Sequence, residues 1–357
     1  MSETADWKAA VSGNFADAAD WSTGTVPGTL GPSKEDNADT ALLDATGAAY
    51  SVVFNSSNGE IDNVAQMSIA ANATFYVIGS KGMESILATN VTENDGKIVI
   101  GVKAGGSGAY IVQYGSGAQV NNGLIVVKAD GTLVENNLDN NGVIDIAGGT
   151  VDDFSTNLGT GKFRIDGGHL VWNNTYLGPV SFYGTGGGEF ELVGENADGR
   201  VANISGFSNT GNTSVVIDNW TKGTDYIRVK QTAAATELVL SKHQWLRFTG
   251  DFIGDTFSVV QQGSGLLITC QQGSGASSAA STSAVLANFT QAVAQNNNLT
   301  IAGRQGSGAS SDASSRAVLA RFIQFVAAGF GDPAPMAASH SLVPAESSPL
   351  LIAASHG

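Results

Sequence analysis

A chain of 357 residues with 46 glycines and only 14% charged side chains is long enough for a large core yet heavily punctuated by turns, which points to many short strands. Its formal net charge of −15, with 17 Lys plus Arg, offers no basic surface to neutralise phosphates, so neither nucleic acid nor an anionic membrane is an expected partner. A single cysteine, Cys270, permits no intrachain disulfide and is expected as a buried thiol at a strand end; no apolar run reaches the roughly 18 residues of a membrane span.

Residues 1–13 lack the basic and apolar regions of a cleaved export signal, so neither such a signal nor membrane insertion is expected. Within residues 1–40, Trp7, Phe15 and Trp21 stand among Gly, Asp and Pro, a composition suited to an N-terminal cap over the open first coil of a stack. Residues 41–270 read as that stack. Apolar segments at 50–54, 74–78 and 96–100 are strands of its less regular coils.

A repeat then becomes plain. Gly123, Gly142 and Gly161 each open a Gly-x-apolar-x-apolar strand and lie 19 residues apart, and the segment 180–184 is expected to continue the spacing. A second strand follows in each period, at Gly131, Gly149, Gly168 and Gly187, giving two strands and two corners per coil. Alternation sends Ile125, Ile144, Phe163 and Phe182 inward as one ladder and Val127, Ile146 and Ile165 as a second. Stacked at about 4.8 Å, such coils bury an apolar column that no single coil could cover. The corner sequences Asn121-Asn122-Gly123 and Asn140-Asn141-Gly142 supply residues tolerant of positive φ.

From 201 to 270 the strands continue less regularly, at 215–217, 226–229, 238–240 and 266–268, and close the stack. Residues 271–330 hold a tandem duplication offset by 33 positions, each copy a Ser/Gly-rich stretch leading into an amphipathic helix, at 281–295 and 314–330. Residues 331–357 carry no packing pattern and read as a flexible C-terminal tail. The fold class that follows is all-β: a right-handed parallel β-solenoid, about 19 residues per coil in its middle, with a small C-terminal helical segment.

The run Trp7, Gly13, Phe15, Asp20-Trp21, Gly24, Val26-Pro27, with the units 141–150 and 187–192, resembles autotransporter-passenger-like and adhesin-like β-helix surface proteins of bacteria. The resemblance spans roughly residues 6–270, and no translocator barrel follows it. It implies an extracellular or cell-surface location, with export by a type I apparatus reading an uncleaved C-terminal signal, for which the helix at 314–330 is the candidate.

Chemistry-bearing patterns are sparse. His169, His243, His340 and His356 lack metal-ligand spacing, no nucleophile elbow is present, and no cofactor is expected. Calcium could be held by Asp36 and Asp39, or near Asp139, although the Gly-Gly-x-Gly-x-Asp nonapeptide is missing. Asp145 and Arg164 occupy equivalent outward places one coil apart and are expected to form a surface ion pair, with Val126 and Tyr183 above and below. Asp152, Asp153 and Asp166 lie near corners, yet no two acidic residues fall at equivalent places of successive coils beside a Lys or Arg, as sugar cleavage would need.

The expected function is therefore non-enzymatic: a structural subunit of a filament, layer or biofilm matrix, self-associating through its solenoid ends and through helices anchored by Phe289, Val318, Phe322 and Phe325. The alternative is a polysaccharide-binding or polysaccharide-cleaving β-helix with Trp172, Tyr176 and Tyr183 as a stacking platform. A tail-fibre-like trimer is a third arrangement.

Overall fold

Inward apolar residues at every second position of successive segments can be hidden only if the segments stack, and the chain does this along two faces. In the computed structural model the described residues are 3–28, 39–55, 61–79, 85–101, 108–113, 117, 119–135, 137–153, 159–173, 179–193, 201–218, 228–232, 234–239, 245–263, 265–273 and 298–302. With 60% strand and 2% helix, it is an all-β solenoid averaging about 23 residues per turn.

The first sheet stacks Thr4–Asp6, Thr40–Leu43, Ile61–Ile69, Ser85–Asn94, Ala109–Gln113, Gly131–Glu135, Thr150–Asp153, His169–Trp172, Gly188–Leu192 and Thr213–Ile217, each parallel to the next. The second stacks Gly13–Asn14, Tyr50–Phe54, Ala73–Val77, Lys97–Ile100, Leu124–Lys128, Val143–Ala147, Lys162–Ile165, Val180–Phe182, Val201–Ser205 and Trp245–Thr249, also parallel. Parallel pairing needs a crossover between partners, and here the crossover is the opposite face of the coil.

Three departures from the sequence reading have physical causes. Coil length is not constant: the first sheet keeps the 18-residue step of Gly131 to Gly149 (Thr132 to Thr150) and 19 from Thr150 to His169, but steps 20, not 19, from His169 to Glu189. On the second sheet Phe163 pairs with Val180 and Ile165 with Phe182, so Phe182 extends the second inward ladder rather than the first. The slip is by two residues, which keeps both Val180 and Phe182 inside, whereas a slip by one would have turned them out.

Third, a coil in the middle holds three strands. Gln119–Asn121 lies between residues 92–94 and Leu138–Asn140 as a short parallel ladder across one corner. The asparagines there are chosen for their amides. Asn94 Nδ2 donates to Asn121 Oδ1 at 2.7 Å, and Asn121 Nδ2 donates to Asn140 Oδ1 at 2.8 Å, all three side chains being buried. Outside it runs a second chain, Asn122 Nδ2 to Asp95 Oδ1 at 2.8 Å and Asn141 Nδ2 to Asn122 Oδ1 at 3.3 Å. The glycine after each pair is there for space: a Cβ on Gly142 would lie 2.1 Å from the carbonyl oxygen of Gly123 one coil below.

At the far end the parallel stack gives way to antiparallel strands. Gly265–Gln271, Thr256–Gln262 and Asn298–Ala302 extend the first sheet, and Ala235–Val239 and Arg228–Gln231 the second. Asn298–Ala302 is a strand that the reading of 271–330 did not anticipate. The expected helices, with Phe289, Val318, Phe322 and Phe325, and the tail lie outside the described residues. Cys270 is a buried free thiol in the strand Gly265–Gln271, and burial, with the charge of Asp255 next, pushes it up to about 12.

Candidate functional site

The outer surface of the first sheet gathers a histidine and two glutamates whose donor atoms lie within 4.8 Å of one another. Its strands alternate, so Leu170, Phe190 and Val215 fill the core while their neighbours in sequence face out. One outward column is Thr150, His169, Glu189 and Ser214; the next is Asp152, Val171, Glu191 and Val216. His169 Nε2 lies 2.9 Å from Glu191 Oε2 and 3.4 Å from Glu189 Oε1. Glu189 is itself oriented by Ser214, whose hydroxyl donates to Oε2 at 3.0 Å. Asp152, one coil below, accepts from Asn173 Nδ2 at 2.8 Å; burial raises its carboxyl, opposed by that amide and by His169.

Uniform 19-residue counting from His169 falls on Gly188 and so misses this group. The offset there is 20, which brings Glu189 alongside, and the spacing Glu189-x-Glu191 puts both carboxylates on one face. Aligning the unit Gly168-His169-Leu170 with Gly188-Glu189-Phe190 would have found it.

The surface pair Asp145 and Arg164 are indeed cross-strand neighbours, with Val126 below. They meet through a third group rather than as a direct ion pair: Tyr183 donates its hydroxyl to Asp145 Oδ1 at 2.5 Å, and the Arg164 guanidinium carbon sits 4.1 Å from the Tyr183 ring centroid. Burial first, then that hydrogen bond and the charge of Asp145, push the Tyr183 phenol up to about 12. In register Arg164 stands over Ser181, because of the two-residue slip.

The aromatic platform does not form as expected. Trp172 is fully buried, its ring edge-on to Phe163 across the lumen at 5.1 Å and 89°. Trp172 lies one position from outward Val171 and three from outward His169, so alternation turns it inward with Leu170. Tyr176 lies outside the described residues. Of the calcium candidates, Asp39 accepts the Glu3 and Gly28 backbone N–H groups at 3.1 and 3.2 Å, and Asp36 lies outside the described residues.

A second acidic pair sits where none was expected. Glu135 and Asp153 are register partners on successive coils of the first sheet, and both point into the core with almost no exposed surface. Burial, then the neighbouring Asp153 charge, holds the Glu135 carboxyl well above the usual carboxylate range. Glu135 lines a small interior cavity with Thr89, Thr92, Asn94, Gln119 and Asn121, a polar stretch beside apolar Met67, Leu87, Ile98 and Ile111. The chain matches no family model, no curated protein and no solved structure.

Proposed function

We infer that this chain is an exported, non-enzymatic structural subunit of a cell-surface or extracellular assembly: a filament, a layer or a biofilm matrix. The observation that supports this reading is where strand pairing stops. Asn298–Ala302 pairs on one side with Thr256–Gln262 and is the last strand of its sheet among the described residues, and Arg228–Gln231 is the last of the other. Such edges present backbone N–H and C=O groups that another copy can complete.

The two edges differ in what they invite. Arg228–Gln231 carries Lys230, exposed and 4.0 Å from Glu237, and charge on an edge discourages pairing. Asn298–Ala302 has no charged residue and alternates Leu299 with Ile301, the pattern of a strand that accepts a partner. At the opposite end the chain covers the edge where the first strand finishes: Ser22 N donates to Asp6 O at 2.8 Å and Lys8 N to Asp20 O at 2.9 Å. Growth through the C-terminal end, with Phe289, Val318, Phe322 and Phe325 anchoring one copy on the next, is the arrangement this favours.

Negative-stain electron microscopy of the purified chain, with and without added calcium, tests the reading. Regular fibres or sheets are the expected result. Dispersed single rods at every concentration would overturn it and move attention to a sugar-binding or sugar-cleaving module, checked by reducing-end release from acidic polysaccharides.

A further inference from the structure

We propose that His169, Glu189 and Glu191 form a site for one first-row divalent cation, with Zn²⁺ the best fit, on the outer face of the first sheet. The site does not rest on the assembly reading, since it lies on the flank of the stack and not at its ends.

Three donor atoms, one nitrogen and two carboxylate oxygens, all lie within 4.8 Å of one another. Bonds of about 2.0–2.2 Å in a tetrahedral Zn²⁺ site place ligand atoms about 3.3–3.6 Å apart, and the two nitrogen–oxygen separations, 2.9 and 3.4 Å, need only tenths of an ångström of adjustment. The backbone sets this spacing. His169 and Glu189 are register partners on adjacent strands, and Glu191 is two residues further along the same face, so the ligands stand on rigid ladder positions.

The histidine nitrogen points to a ligand. Nε2 is shut off from solvent and makes no hydrogen bond despite the closeness of both carboxylates. An imidazole nitrogen set between two carboxylate oxygens without a hydrogen bond to either is a donor arrangement that a cation between them completes. Ser214 fixes the second oxygen of Glu189, the kind of outer-shell hydrogen bond that orients a metal-binding carboxylate. Two carboxylates balance the double charge of the ion, and Asp152 nearby adds to the negative field.

The donor set also chooses among metals. Calcium and magnesium take six or more oxygens, whereas mixed imidazole and carboxylate ligation suits zinc. Three protein ligands leave a fourth position for water or for a donor from outside the chain.

Calorimetric titration of the full chain with zinc chloride at about pH 7.5 tests the site. One saturable zinc site per chain is expected, with no comparable binding of calcium or magnesium. His169→Ala and Glu191→Gln should each weaken it at least about 100-fold, and Ser214→Ala about 10-fold, as loss of an outer-shell partner does. Circular dichroism melting shows whether each variant remains folded, and the intensity of the visible bands of bound Co²⁺ reports four-coordination independently of affinity. Absence of saturable zinc binding would overturn the site, leaving the three side chains as a cross-strand contact only. Undiminished binding in His169→Ala would also overturn it, assigning the metal to His243, His340 or His356.

Discussion

Glu135 and Asp153 are both acidic and both face inward, and burial in the low-dielectric lumen, then the Asp153 charge beside it, make Glu135 hold its proton far longer in the folded chain than in the unfolded one. A folded pKa raised above the unfolded value means that the native state binds the extra proton. The linked destabilisation is absent below the unfolded pKa, near 4.5, and grows as pH rises from there toward the folded value. Glu135→Gln keeps the shape and removes the titration. Its melting midpoint should exceed that of the parent chain at pH 8 by roughly 2 °C per kcal/mol recovered, and the gain should shrink on acidification to about pH 4.5. A constant difference across that range would show that the carboxyl does not titrate as argued. The 18-residue step between them is the one Gly131 and Gly149 already show, and alternation from Leu133 and Val151 turns both inward; carboxylates are simply not expected on that face, whereas the 20-residue offset did hide Glu189 from His169.

At the scale of the strand and its corner, the stack draws specificity from the buried amide ladder of Asn94, Asn121 and Asn140. Each central amide both gives and accepts, so removing the middle one strands a donor on Asn94 and an acceptor on Asn140 inside the protein. Asn121→Ala should cost about 2–4 kcal/mol, since each unsatisfied buried group costs about 1–3 kcal/mol. Asn141→Ala, on the exposed outer ladder, should stay within about 0.5 kcal/mol, a contrast readable by urea denaturation. Gly142→Ala should be the harshest of the three, about 3 kcal/mol or more, because its Cβ would meet backbone rather than a movable side chain. Strand positions and inward faces were legible here, since period-two alternation and the glycine spacing report them directly. The role of Asn-Asn-Gly was not, because a turn preference and an amide ladder select the same residue type, and only neighbouring coils tell them apart.

Over the whole molecule, a stack of coils has two open ends, and aromatic side chains fill the lumen at both. At the C-terminal end Phe207, Phe248, Phe252 and Phe257 pack with centroids 4.6–6.5 Å apart. At the N-terminal end Trp21 is fully buried, edge-on to Trp7 at 5.1 Å and to Phe15 at 5.0 Å, and its indole N–H donates to Phe15 O at 2.8 Å. The same segment bonds along Asp6 and Lys8, so the indole anchors the strip of chain that covers the first strand's edge. Trp21→Ala therefore removes two things at once: about 3–5 kcal/mol of core packing, and the cover over backbone groups that would otherwise template another chain. If the assembly grows from the C-terminal end alone, the parent chain should elongate by one route, and Phe322→Asp should return it to monomers on gel filtration. Trp21→Ala opens the second end, so the double variant Trp21→Ala, Phe322→Asp should associate again, through N-terminal edges, at concentrations where Phe322→Asp alone is monomeric. Light scattering distinguishes the outcomes: a monomeric double variant with a lowered melting midpoint would mean that Trp21 serves packing only, and that the covered edge is not what keeps that end from pairing.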